Sequence, residues 1–274
     1  MVDLAQLGIV VPALDAAATI GTTLECLRPA AAAGARVVVI DGGSTDDTVA
    51  RTSPFPVDCH FVAGTMYEAI NAGCRMLDVE WLTWINADDI LHGDRLAPRI
   101  AAAGSDDGVL YGPVDFIDAC GRFVHAWRSA RPADLLPLYR AGYSPLLQQG
   151  TLFRRRVFEA VGGFDAGYRY VADADFWWRA LEAGHRFRAA PTPPVAAFRL
   201  HAAQQSQRHR AEMHEEHRRM VAAQGARPRA WSGLVPLARW RLGNATNYVV
   251  RGLRRGGLTG RPGLAGSYSI PAAG

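Results

Sequence analysis

The sequence predicts an α/β protein with a mostly parallel central sheet, helices on both of its faces and a helical tail. Three observations carry this. Short continuous apolar runs, Gly8-Ile9-Val10-Val11, Arg36 to Ile40 and Glu80 to Ile85, have the composition of strands buried on both faces. Helix-forming stretches separate them, as parallel pairing requires. The second and third runs end in carboxylates, Asp41 and Asp88-Asp89, where an α/β sheet places its ligand site.

A chain of 274 residues can bury a full core. Its organisation reads as one large domain, residues 1 to 206, followed by a basic helical tail, residues 207 to 274. Charge marks the division: the first part holds 18 Arg against 23 acids, a balance of −5, and the second holds 12 Arg against 3, a balance of +9. Cys26, Cys59, Cys74 and Cys120 form no C-x-x-C pair, which argues against a zinc site or a disulfide framework and for a reducing cytoplasm. The apolar start, Leu7 to Ile20, is broken by Pro12 and Asp15 and reads as a strand and turn rather than a signal peptide. No uncharged run approaches the ~20 residues of a spanning helix.

In chain order, the first strand ends at Pro12, and the helix from Ala17 to Ala33 stops at Gly34. The second strand runs into Asp41-Gly42-Gly43-Ser44-Thr45-Asp46, a tight turn with hydroxyls able to cap a short helix. The first strand is not followed by G-x-G-x-x-G, which excludes a dinucleotide fold of the dehydrogenase kind, and no Walker loop is present. A nucleotide here must be held by carboxylates, backbone and a metal, and Asp41 could accept from a base imide. On the helix from Met66 to Leu77, Tyr67, Asn71 and Arg75 share a stripe at i, i+4, i+8. Next comes Trp84-Ile85-Asn86-Ala87-Asp88-Asp89, a buried strand opening into oxygen ligands; a helix-capping turn is the simpler reading of that segment alone.

Further on, Gly108 to Phe116 and Arg122 to Ala126 read as strands joined by a turn at Asp118 to Gly121. Asp173 and Asp175 lie in the first turn of a helix, which its dipole favours, and Arg179 can pair with Asp175. An extended segment, Pro191 to Leu200, ends at His201. His214-Glu215-Glu216-His217 lacks zincin spacing and reads as a solvated helix face.

Six segments in order, Ile9 to Pro12, Val39 to Asp46, Tyr67 to Gly73, Asn86 to Asp89, Gly162-Gly163-Phe164-Asp165 and Ala172 to Asp175, resemble the family-2 glycosyltransferases of GT-A fold over about residues 6 to 206. The resemblance implies a metal-dependent inverting transferase moving a sugar from a nucleotide-diphosphate sugar to a hydroxyl of a glycan or lipid-linked acceptor. Its donor would carry UDP first, GDP or dTDP next. Pro12, Asp15, Asp41 and Ser44 would hold the nucleotide; Asn86, Ala87 and Asp88 stand at the D-x-D segment, with Asp88 and His201 as ligands of Mn2+ or Mg2+. Tyr67, Asn71, Arg75, Gln149 and Asp175 are further expected donor-site residues, and Asp173 is the expected general base.

This sequence departs from the family pattern at Asn86 for the first Asp, at Asp15 for a commoner Asn, at Ala172 for an acid and at Gln148 for a frequent His. Two other readings compete. A sugar nucleotidyltransferase needs a Gly-rich loop with a catalytic cation after the first strand, which Pro12 to Ala18 lacks; a non-catalytic relative finds its support in Asn86.

The chemistry suits the residue types. Expelling a nucleoside diphosphate builds negative charge that a hard cation stabilises, and the acceptor hydroxyl must lose a proton to a carboxylate. One base and a single displacement invert the anomeric centre, without the nucleophile of a retaining hydrolase.

The tail interleaves seven arginines between Arg227 and Arg255 with Trp231, Leu234, Val235, Leu237, Trp240 and Leu242. That pattern fits an interfacial helix on an anionic membrane surface, placing the protein in the cytoplasm or at the inner face of the membrane. A helix packed on the catalytic domain is the alternative. Nucleic acid is not expected, because no recognised module accompanies the basic run.

Overall fold

The computed structural model describes residues 4–190, 193–201, 204, 208–225 and 231–254, with side chains to residue 249. The first half alternates β1 (Leu7–Ala13), α1 (Ile20–Ala32), β2 (Arg36–Asp41), β3 (Asp58–Phe61), α2 (Met66–Met76) and β4 (Trp81–Trp84). Then come β5 (Ile90–Leu91), α3 (Leu96–Ala101), β6 (Asp107–Tyr111), β7 (Val114–Asp118), β8 (Phe123–Trp127), α4 (Pro132–Arg140), β9 (Leu152–Arg154) and α5 (Arg155–Ala160). The remainder is α6 (Ala172–Glu182), β10 (Arg186–Ala189), β11 (Ala196–Leu200), α7 (Arg210–Ala223), α8 (Leu234–Gly243) and α9 (Ala245–Arg254).

The main sheet has seven strands in the order β10-β6-β9-β4-β1-β2-β3, parallel except for β9, which runs against β4 and β6. Both its faces are covered. Along β1, Val10 points into a layer shared with α2, α4 and α6, while Leu7, Ile9, Val11 and Ala13 point into a layer shared with α1 and α3. That two-sided burial is why the strand reads as an unbroken apolar run. A capping box between Thr65 and Glu68 starts α2. Close packing on β1 then requires Gly73, where an added Cβ would lie 2.6 Å from the Val10 side chain.

A second sheet, β5-β11-β7-β8, stands beside the first. The sequence reading of one strand from Gly108 to Phe116 is corrected here: Gly112-Pro113 breaks it into β6 and β7, which belong to different sheets. Proline removes a ladder donor, and a Cβ at residue 112 would meet the Ala190 carbonyl oxygen at 2.9 Å.

The helices beyond residue 206 pack on the rest of the chain. Met220 and Val221 of α7 join the α6 layer. The expectation that residues 214–217 form a solvated face fails at Glu216, which is 5% exposed. Its carboxylate accepts from the backbone N–H groups of Arg169, Tyr170 and Val171 at 2.8, 2.6 and 3.2 Å. Glu216 therefore holds the turn that leads into α6. Glu216→Ala strands three donors, with an expected loss of about 1–3 kcal/mol in urea unfolding; unchanged stability would show that water replaces the carboxylate.

Candidate active site

A cleft of about 860 Å³ opens where β1 and β4 end, bounded on its far side by the second sheet and α7. Its floor comes from the loops that leave the strands. At the end of β1, Asp15 adopts φ +47°, a left-handed conformation that Asp tolerates better than most residues. Its carboxylate accepts from the Thr45 N–H at 2.8 Å, and its own N–H donates to Ser44 Oγ at 2.9 Å. The loops after β1 and β2 are thus tied together.

At the end of β4, Thr23 Oγ1 donates to the carbonyls of Ala87 and Asp89 and pins the Asn86–Asp89 turn. Asp89 turns inward. It accepts from the Arg199 N–H at 2.8 Å and from the side chains of Asn86 and Gln149 at 3.2 Å each. Burial, then the neighbouring Asp88 charge, raises its carboxyl well above the ordinary range. Asp89 is a scaffold on which Asn86 and Gln149 are aimed.

Asp88 faces the cleft and is partly exposed, with Oδ2 2.8 Å from His201 Nε2. Among the described residues no group of three or more His, Cys, Asp and Glu could hold a metal alone. A pair nevertheless fits a Mg2+-like ion that keeps positions for substrate phosphates and water. Three polar atoms of cleft residues, Trp84 Nε1, Asn86 Oδ1 and Gln148 Oε1, are buried without a hydrogen-bond partner among the described residues. Buried polar groups are rarely left so, and a bound polar ligand would satisfy them.

Asp173, in the first turn of α6, also lines the cleft and accepts from the Tyr67 hydroxyl at 3.1 Å. Burial raises its pKa, opposed by the Ala174 N–H and the Tyr67 hydroxyl. Such a carboxylate can take a proton from a nearby hydroxyl. Work done by the ionised form is lost as pH falls through the raised pKa, and Tyr67→Phe removes a donor that favours the ionised form. The acid limb of the pH–rate profile is expected to move to higher pH in Tyr67→Phe, by up to roughly one unit for a lost hydrogen bond. An unmoved limb would show that another group sets it.

Pro12, Asp15, Tyr67, Asn86, Ala87, Asp88, Gln149, Asp173 and His201 all border this cleft. Five expected residues do not. Asp41 is spent on its own turn, accepting from Gly43 N–H, Ser44 N–H and the Ser44 hydroxyl, so Asp41 and Ser44 shape the loop rather than face the cleft. Asn71 clamps the Phe164 backbone through both ends of its amide, at 2.7 and 2.9 Å. Arg75 is exposed at the far end of α2: eight residues along a helix carry it about 12 Å from Tyr67. Asp175 is 2% exposed and bound by Arg179 and Gln224 at 2.7 and 2.8 Å, beside a separate shallow depression. Conversely, Trp84, Phe116, Leu146, Tyr170 and Phe198 line the cleft without having been singled out. The alternation of apolar residues at Phe116 and Phe198 was the available signal.

Residues 8–162 match the family model described as glycosyl transferase family 2, more than half of the chain. The chain belongs to glycosyl transferase family 2. A "PGL/p-HBAD biosynthesis glycosyltransferase" of Mycobacterium bovis is 28% identical over 178 residues, covering 61% of this chain and 66% of that relative, just under two thirds of its length. Solved structures share the fold. S. aureus TarS 1-349 in complex with UDP-GlcNAc superposes with TM-score 0.64 at 14% identity, over 90% of this chain and 75% of that one. The mannosyltransferase PcManGT of Pyrobaculum calidifontis, in complex with GDP-Man and Mn2+, gives 0.57 at 19%, over 91% and 74%. Glucosyl-3-phosphoglycerate synthase of Mycobacterium tuberculosis, with Mn2+ and UDP, gives 0.56 at 15%, over 81% of each chain. The chain has the GT-A fold of these structures, with the mostly parallel sheet expected of it.

Proposed function

We propose that this protein is a metal-dependent, inverting glycosyltransferase. It moves a sugar from a nucleoside-diphosphate donor, UDP in first place, to a hydroxyl of a glycan or lipid-linked acceptor. The observation that carries the reading is the meeting, in one cleft, of the Asp88–His201 pair with a half-buried carboxylate of raised pKa, Asp173. The UDP-GlcNAc of TarS, the GDP-Man and Mn2+ of PcManGT and the UDP and Mn2+ of glucosyl-3-phosphoglycerate synthase support the donor class, and the last two the ion. Attachment of the basic tail to a membrane surface on the cytoplasmic side belongs to the same reading.

Asp88 and His201 would hold the cation, which would offset the charge growing on the departing diphosphate. Asp15 and Thr45 fix the loop against which the nucleoside lies, and Asn86 Oδ1 is free to accept from a ribose or sugar hydroxyl. Asp173 takes the acceptor proton as the acceptor oxygen bonds to the anomeric carbon and the bond from that carbon to the phosphate oxygen breaks. The nucleoside diphosphate leaves with that electron pair. Tyr67 keeps the Asp173 carboxylate oriented by donating to one of its oxygens.

A thermal-shift panel of UDP-, GDP- and dTDP-sugars, each with and without Mn2+, tests the donor class. A ligand at 100 times its Kd adds ~2.7 kcal/mol, so the matching donor raises Tm with Mn2+ and by clearly less without it. No shift with any donor would remove the proposal.

A further inference from the structure

The helices after residue 230 have two apolar faces, and one of them is already used. Pro236, Leu237 and Trp240 of α8, with Asn244 and Asn247, face the body of the protein. Trp240 Nε1 and Asn244 Nδ2 donate to the Arg128 carbonyl at 2.8 and 3.0 Å, and Asn247 Nδ2 donates to that of Ala126 at 2.6 Å. At about 100° per residue, Leu234, Val235, Ala238 and Leu242 fall on the opposite side. Their exposure agrees: Trp231 is 88% exposed, Val235 64%, Leu242 75% and, on α9, Val249 60%. Six of the eleven large apolar side chains exposed among the described residues lie between 231 and 249. A concentration of that kind marks a contact surface.

Charge decides what the surface contacts. Arg241 falls at one edge of the α8 stripe, whereas Arg239 at the other is held inward by the buried Asp134 carboxylate at 2.8 Å; residues 217–274 contain ten Arg and no Asp or Glu. An apolar stripe in so basic a segment, with Trp at its end, matches an anionic lipid surface better than it matches a second copy of the same basic face. Among the described residues no helix is long and apolar enough to cross a membrane. We infer that the outer face of α8 and α9 docks flat on an anionic bilayer while the inner face stays packed on the domain. Packing and docking, alternatives at the level of sequence, are two faces of the same helices.

Docking has a consequence for the acceptor, and this part rests on the transferase reading. Trp240 and Tyr248 pack edge-on against Trp127 of β8, at 6.1 and 5.6 Å between ring centroids. From there an aromatic row continues through His125 and Phe116 to Phe198, the last two bordering the cleft. The membrane-facing helices are thus joined through the second sheet to the aromatic wall of the cleft, which suits an acceptor borne by the bilayer.

Vesicle co-sedimentation of the full chain tests the inference. Wild type is expected to bind vesicles containing phosphatidylglycerol and not pure phosphatidylcholine. Trp231→Ser/Leu242→Ser, at side chains with little packing role, is expected to weaken binding roughly tenfold or more, and Arg241→Glu to do so in a salt-dependent manner. Equal binding by wild type and the double variant overturns the inference, as does failure of wild type to bind anionic vesicles. So does sedimentation velocity without vesicles if wild type is a dimer and the double variant a monomer, which would make the stripe a self-interface. The Tm shift with UDP and Mn2+ is read in the same variants. If it is retained while vesicle binding is lost, the site and the surface are separate; if it is absent throughout, the donor reading fails while docking stands.

Discussion

Asp173→Asn is expected to lower kcat by about 100- to 10,000-fold and to leave donor affinity close to wild type, as the loss of the proposed general base would. The amide keeps the shape of the carboxylate and can still meet the Tyr67 hydroxyl, so the cleft is preserved. What it loses is the capacity to accept a proton, and that contributes to the transition state rather than to donor binding. The raised pKa of Asp173 makes the loss larger than for an exposed carboxylate, because a base is most effective when its pKa approaches the working pH. A defect confined to donor Kd would instead make Asp173 a binding residue.

Asp88→Ala is expected to abolish turnover and to remove the dependence of UDP binding on Mn2+. In the proposed site Asp88 and His201 would hold the cation together, so losing one would leave a single imidazole, too little to retain a hard cation. Calorimetry of UDP with and without Mn2+ reads the effect directly: the two curves differ for wild type and coincide for the variant. Asp89 does not substitute, because its oxygens are already bound by Arg199, Asn86 and Gln149. Metal-stimulated turnover in Asp88→Ala would contradict the assignment.

The strands that stand out as unbroken apolar runs are those buried on both faces, β1, β2 and β4, whereas β8 is legible from the turn beside it and β11 as the extended segment that ends at His201. β3 and β10 escaped because they are edge strands. Residues 58–61 and 186–189 are mostly exposed, and their pairing is dictated by β2 and β6 rather than by their own composition. Site residues on strand ends, Asp88 above all, were legible because the end of a buried strand fixes where its carboxylate emerges. Residues inferred from a helical stripe fared differently. Tyr67, Asn71 and Arg75 share a face of α2, but the face runs along the helix, so Tyr67 alone reaches the cleft. Asp175 illustrates the same limit, since two residues of helix turn it away from Asp173 and towards Arg179. Glu216 was hidden by its surroundings: a run of charged residues gives no sign that one of them points inward at three backbone donors.

The anomer released first distinguishes single from double displacement. With Mn2+ and the nucleotide sugar that raises Tm, the anomer released by slow transfer to water can be read by proton NMR before mutarotation mixes the forms. Single displacement with Asp173 as the base predicts that an α-linked donor yields the β-sugar first, and that Asp173→Asn slows its appearance. Release of the α-sugar first would contradict the account, because it requires a second displacement and hence a nucleophile that the proposed mechanism does not use.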